Sequence, residues 1–253
     1  MRVNRIISVA AVLLLFVSSC KKKEITEPCN SIECAGTINL NFQHVVDTSA
    51  FAFNTDFIDD FGNTYQFSRV DWYLHVPGFL ESDNSTSIVD SNEFFKMDPS
   101  VTTVIYGASS CVDHHYMRWG VGVDSAENHM DPNTHPLSHG LGNQSPSLHW
   151  GWSTGYIFCA IEGLVDINGD GSFGAGEYFS LHVGVDTNYR TGPNLLVDTN
   201  VSEDGIGIMN LKVDYAAFIN GIDLSIDNYS HTMDNMPLAI RVADNFDQVL
   251  DLQ

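Results

Sequence analysis

The alternation of apolar and polar positions marks out strands along most of the chain. Gly36–Val46 (GTINLNFQHVV) alternates cleanly and predicts a half-buried strand. Thr64–Leu80 (TYQFSRVDWYLHVPGFL) predicts a longer strand, ended or bent by Pro77-Gly78. Residues 101–106 and 116–123 are shorter runs of the same kind. Residues 125–147 break the pattern with His129, His135, His139, three prolines and two glycines. Loops of that length are usually functional or mobile. Residues 156–165 and 178–185 are β-branched and aromatic runs that predict a hairpin, and 205–215 predicts a further strand. The period then changes. Leu238, Val242, Phe246 and Val249 recur at helical spacing, with Asp234 or Asn235 as cap and Pro237 early in the helix. With no internal repeat and no second composition regime, the expectation is all-β: one β-sandwich over residues 36–253, with long loops and a short C-terminal helix.

Between the two hairpin strands lies a twelve-residue calcium-loop pattern, DINGDGSFGAGE. Asp166, Asn168 and Asp170 place side-chain oxygens at loop positions 1, 3 and 5, and Ser172 offers a backbone carbonyl. Gly171 stands where the chain must turn sharply, and Glu177 stands where a bidentate carboxylate closes the shell. Strands flank this loop in place of the helices of an EF-hand pair, so the ion would stabilise the hairpin and would not signal. Extracellular modules of this type bind calcium weakly, at about 10⁻⁴–10⁻³ M. The competing explanation is a Gly-rich hairpin that merely tolerates acidic residues.

The first residues add an address. Arg2 and Arg5 precede an apolar run, residues 6–17, that is too short to span a membrane comfortably. Val17-Ser-Ser-Cys20 is similar to a bacterial lipobox, which makes residues 1–19 a signal peptide, Cys20 the lipidated residue and 20–35 a polar tether. A plain secretory signal with a chance cysteine is the alternative. The chain carries 32 acidic residues against 11 basic, and only six of the basic ones follow the tether lysines. Phosphate backbones require Lys and Arg, so nucleic acid is excluded as a partner. Attraction for cations and solubility in the cell envelope both fit this charge. Export places Cys29, Cys34, Cys111 and Cys159 in an oxidising compartment, where three pairings are open and sequence does not choose among them.

Several segments taken in order resemble one family. They are LNFQH ending at His44, RVDWY from Arg69, GVGVD from Gly120, His135-Pro136-Leu137, LHWGW ending at Trp152, GYIF from Gly155, Glu162-Gly163 and LHVG ending at Gly184. This order is similar to the MbnP-like family, exported bacterial proteins named for a methanobactin-associated copper-binding member. The resemblance runs from about Gly36 to Phe246. It implies an envelope β-sandwich and copper held by histidines. It also implies a tryptophan oxidised to kynurenine, and a diheme partner of the cytochrome c peroxidase type that performs the oxidation. Carried over, His44 and His182 match recurring histidines, Trp150 and Trp152 match the tryptophan pair, and His231 lies near a late histidine. His75 departs from a position that is often Ser in the family.

Imidazole suits copper, zinc and nickel, with geometry selecting among them. His44 and His182 fall on predicted strands, so one face of the sandwich is able to bring them together, with His149 or His231 as a third ligand. The bland alternative is that each is a hydrogen-bonded strand histidine. His114 and His115 face opposite sides of a strand and do not chelate together. Trp150 and Trp152, at a spacing of two, read first as core residues; the alternatives are the modification site that the resemblance implies and a platform for sugar rings. No nucleophile elbow, zinc-protease helix or phosphate loop occurs, so no enzyme is expected. The leading expectation is a lipid-anchored copper-binding sandwich with a structural calcium loop. Its rival is a calcium-stabilised module for glycan or protein, without a transition metal.

Overall fold

The computed structural model describes residues 36–80, 88–89, 92–109, 113–151, 154–200 and 206–253. Cys20, Cys29, Cys34, Cys111 and Trp152, with the tether, lie outside the described residues. Among those described, fifteen strands follow in chain order: β1 (Gly36–Val46), β2 (Ser49–Ala50), β3 (Phe57–Ile58), β4 (Thr64–Leu80), β5 (Ile88–Val89), β6 (Glu93–Met97), β7 (Thr103–Ser109), β8 (Asp113–Val121), β9 (Ile157–Val165), β10 (Tyr178–Gly184), β11 (Arg190–Thr191), β12 (Leu195–Asn200), β13 (Ile206–Asp214), β14 (Tyr229–His231) and β15 (Leu250–Leu252).

They form two sheets. The smaller has the order β15-β13-β1-β2, with β7 also pairing β1. The larger runs β11-β8-β4-β9-β10-β14, with β12 on β8 and β3, β5 and β6 on β4. Period-two burial explains why β1 sits where it does. Ile38, Leu40 and Phe42 are buried on one side, while Asn39, Asn41 and Gln43 face outward. On β13, which runs parallel to β1, Met209, Leu211 and Val213 are buried in the same alternation. β4 differs, because its central residues Val70 to Val76 are buried on both faces. One face packs, through aromatic rings, on the opposite sheet and on the 3-10 turn that holds Phe218. Trp72 packs edge-on against Phe218 at 5.8 Å, and Phe79 against Tyr106 at 4.9 Å. The other face of β4 lies partly under the long loop: Tyr73 meets Tyr156 edge-on at 5.6 Å.

The all-β sandwich with a short C-terminal helix is therefore the observed architecture. Pro77-Gly78 bends β4 without ending it, and the register against β8 shifts between His75 and Gly78. The helix α1 (Met236–Asp244) is capped by Asn235, whose side chain accepts from the Leu238 amide, with Pro237 in its first turn. Leu238 and Val242 bury on it, but it stops at Asp244. Phe246 instead begins a 3-10 turn, so the helical spacing overruns the helix by one turn.

Candidate functional site

The hairpin of β9 and β10 aligns side chains across four strands on one face of the larger sheet. Ladder partners place Asp71 on β4 beside Ala160 on β9, Ala160 beside His182 on β10, and His182 beside His231 on β14. Two residues back along the strands, Arg69, Glu162, Ser180 and Tyr229 form the adjoining row. Side chains two apart on a strand share a face, so both rows present their groups to the same side.

These groups are joined by hydrogen bonds. His182 Nε2 lies 2.8 Å from Glu162 Oε1. Arg69 donates from Nη1 to the same Glu162 oxygen at 2.9 Å and from Nε to Asp71 at 2.5 Å. A carboxylate only accepts, so the neutral His182 ring carries its proton on Nε2 and its lone pair on Nδ1. That is the arrangement by which carboxylates orient metal-binding imidazoles. Burial is the largest influence on His182 and holds its pKa below the ordinary value, although the Glu162 bond pulls the other way. On Glu162, burial pushes the pKa up, but His182 and Arg69 together outweigh it and hold the carboxyl below its usual range. His231 stacks on His182 with ring centroids 4.4 Å apart, and Tyr229 stacks on His231 at 5.1 Å.

Trp150 completes this face. A Cβ at Gly184 would lie 2.6 Å from the Trp150 ring, so the indole rests on the one β10 position that has no side chain to displace it. Gly184 is two residues beyond His182, which puts the indole on the histidine's face. A cavity of about 200 Å³ opens here, lined by Trp150, Thr154, His231 and Met233. The loop that carries Trp150 is anchored by the fully buried Asn128. Asn128 accepts from the Tyr156 amide and donates to Asp186, and its backbone leaves no room for a side chain at Gly155. Around Trp150 the chain is not an extended strand, because Gly151 has a left-handed φ of 77°.

The remaining histidines are placed elsewhere. His44 is on the other sheet, with Nε2 donating to the Val101 carbonyl and Nδ1 accepting from Tyr215, each at 2.9 Å. Burial lowers its pKa, and both ring nitrogens are engaged. His149 accepts from the Gly151 amide on Nδ1 and lines a separate polar cavity of about 590 Å³ with Asn128, His129 and Asp131. His75 is a core residue, stacked on Phe94 at 4.2 Å and bonded to Tyr189 and Asn92. His135 and His139 stack on each other at 4.5 Å, and His129 pairs with Asp186, all on the long loop. Cys159 is buried, has no disulfide partner among the described residues, and is pushed above its ordinary pKa by burial. Met233, which also lines the 200 Å³ cavity, carries no motif in the sequence. Its only signal was a position two residues after His231.

At the far end of the β9–β10 hairpin the acidic loop is already folded around its own carboxylates. Asp166 accepts from the amides of Gly169, Asp170 and Gly171. Glu177 reaches back to the amides of Asn168 and Gly174, and Asp170 accepts from Ser172. Asp166 and Glu177 are both buried, the Asp166 amide donates to the Thr64 carbonyl at 2.8 Å, and a cleft of about 390 Å³ is lined by this loop with Asn63 and Thr64. Among the described residues, no three His, Cys, Asp or Glu side chains group closely enough to hold a metal ion as they stand.

Comparison with known proteins gives one family. The profile of MbnP matches residues 35–235. Among solved structures, MbnP from Methylosinus trichosporium is similar, at 15% identity over 73% of this chain and 77% of that one, with a TM-score of 0.41. No curated protein matches.

Proposed function

The chain belongs to the MbnP family, and from that membership we propose an exported, lipid-anchored protein that holds copper through His182 and His231. One observation carries the reading. Segments that mark the family in the sequence, around Arg69, Trp150, Glu162 and His182, converge on a single sheet face beside His231. The donor chemistry fits. Glu162 braces Nε2 of His182, and a second imidazole is stacked on the ring at 15°, from which one ring must rotate for both to reach one ion. A bound copper ion would supply redox or storage chemistry, while these residues bind it, fix the imidazole tautomer and shield the site from water. His44 and His149 fit less well, since their ring lone pairs already accept hydrogen bonds. Copper content of protein purified without added metal tests the reading, followed by equilibrium titration. Uptake no greater than that of a His182→Ala variant would sink it.

Three further parts of the proposal stand on separate supports. Cys20, in its lipobox-like setting, anchors the protein to the envelope; Cys20→Ala should then leave the membrane fraction. Trp150, which lines the metal-proximal cavity, is the residue a diheme peroxidase-like partner would oxidise to kynurenine. Intact mass of protein from its own host would reveal it, and unmodified tryptophans throughout would refute it. The loop from Asp166 to Glu177 takes calcium. Calcium in the millimolar range should raise Tm by several degrees. Glu177→Ala should abolish that difference, and superimposable melting curves with and without the ion would remove the site.

A second reading, a calcium-stabilised module for glycan or protein without transition metal, rests on the acidic loop from Asp166 to Glu177. The same copper analysis separates the two.

A further inference from the structure

The outward face of the smaller sheet is apolar at one corner and polar elsewhere. Alternation puts Thr37, Asn39 and Asn41 of β1 on that face. The ladders set Ile206 of β13 beside Thr37, and set Ile208 of β13 and Ile105 of β7 on either side of Asn39. Ile206, Ile208 and Ile105 are 65%, 59% and 61% exposed. One row further on, the neighbours of Asn41 are Asn210 and Thr103. The first charges on these ladder rows are Lys212 and Asp251, level with Gln43. Six residues of β1 lie between that row and Thr37, roughly 20 Å at about 3.3 Å per residue. Core packing does not explain isoleucine at exposed positions, and strand propensity is served as well by threonine, which stands at 37 and 103.

The chain enters the sheet at this same corner. Gly36 opens β1 directly before Thr37, and residues 20–35 lead to it from Cys20. A stretch of that length reaches at most about 55 Å, so an acylated Cys20 would hold the Thr37 end of the sheet near the bilayer. Resting on the lipid-anchor reading given above, we propose that the corner formed by Ile105, Ile206 and Ile208 docks on the bilayer surface beside the anchor. Three isoleucines bind a membrane weakly on their own, but the anchor makes the contact intramolecular. The chain is acidic, and Glu203 and Asp204 precede Ile206 in the sequence, so the surface it takes is one of zwitterionic headgroups. Docking there sets the orientation of the domain. The face of the larger sheet that carries Glu162 and His182 is on the opposite side of the sandwich, and it is left turned towards water.

The test uses the mature lipoprotein in phosphatidylcholine vesicles, with and without brominated acyl chains that quench indole fluorescence on contact. Ile206→Trp puts a reporter in the corner. Ile226→Trp puts one at a 76% exposed position just before β14 of the larger sheet, and wild type gives the background of the four native tryptophans. Both positions are exposed, and an unchanged Tm confirms that each variant is folded. The quenching added at 206 should be at least about twofold that added at 226, and Ile105→Ser with Ile208→Ser in the Ile206→Trp chain should remove the excess. If the protein floats with the vesicles but quenching is equal at 206 and 226, the docking is overturned and the anchor stands. If the protein does not float with them, both fall. A concentration-dependent dimer that Ile206→Ser/Ile208→Ser abolishes would give this face to a second copy and also overturn the docking.

Discussion

His182→Ala/His231→Ala is expected to lose copper by more than about a hundredfold in affinity, since outer-shell losses alone reach about 10–100-fold in metal sites. The two imidazoles are stacked at 4.4 Å, on adjacent strands of one face. Glu162→Gln should fall between wild type and the double variant. It keeps the shape but loses the carboxylate that fixes the Nε2 proton of His182. His44→Ala is the contrasting control. Its ring is committed to Val101 and Tyr215, so copper affinity should hold while stability drops by about 1–3 kcal/mol from the orphaned partners. Metal binding requires a neutral imidazole. Burial holds His182 below its ordinary value, so competition from protons at this ligand should begin below about pH 6.5. Equal copper uptake by wild type and the double variant would exclude the site. A collapse of uptake in His44→Ala alone would move it to the other sheet.

The fold was legible where burial follows period two. β1 and β13 announce themselves because one face of each is covered and the other is wet. β6, β12 and β14 were not read in advance, because EFFKM has no alternation and the three-residue β14 exists only through its pairing with β10. Site residues were legible as types and not as partners. His44 and His182 look alike in sequence, both on strands and both flanked by apolar residues. What separates them is which sheet they join, and that depends on pairings between distant segments. The role of Gly184 was invisible for the same reason, since a seat for an indole is defined by the indole. The turn between β9 and β10 was readable because its hydrogen bonds are local. Its twelve residues fold around their own carboxylates, with little help from the rest of the chain.

Arg69→Ala is expected to lower stability by about 2–4 kcal/mol, through the charges it leaves behind. Asp71 is 5% exposed, and its ion-pair partner on the ladder is Arg69, which also bonds Glu162. Breaking a buried pair by removing one member costs about 3–5 kcal/mol, because the other charge stays desolvated. The figure is reduced here because Arg69 and Glu162 are about one-third exposed and Nη2 of Arg69 finds no acceptor among the described residues. Arg69→Met/Asp71→Leu, which removes both charges, should recover most of the loss, since an apolar pair of similar volume is often as stable. Acid should reveal the same ladder. The folded His182 pKa lies below its unfolded value, so the unfolded chain takes up the proton first and stability falls as pH drops below about 6.5. Glu162 is also depressed, so its contribution is present above about pH 4.3 and is lost as pH falls through its folded value. Both groups therefore weaken the protein on the acid side. Glu162→Gln should flatten the lower part of the pH–stability curve and leave a His182 component above it, unless the ladder is not what couples these two groups. In that case urea unfolding across pH would give parallel curves for the variant and wild type. Such parallelism would also remove the reason for expecting Glu162 to orient His182 toward a metal.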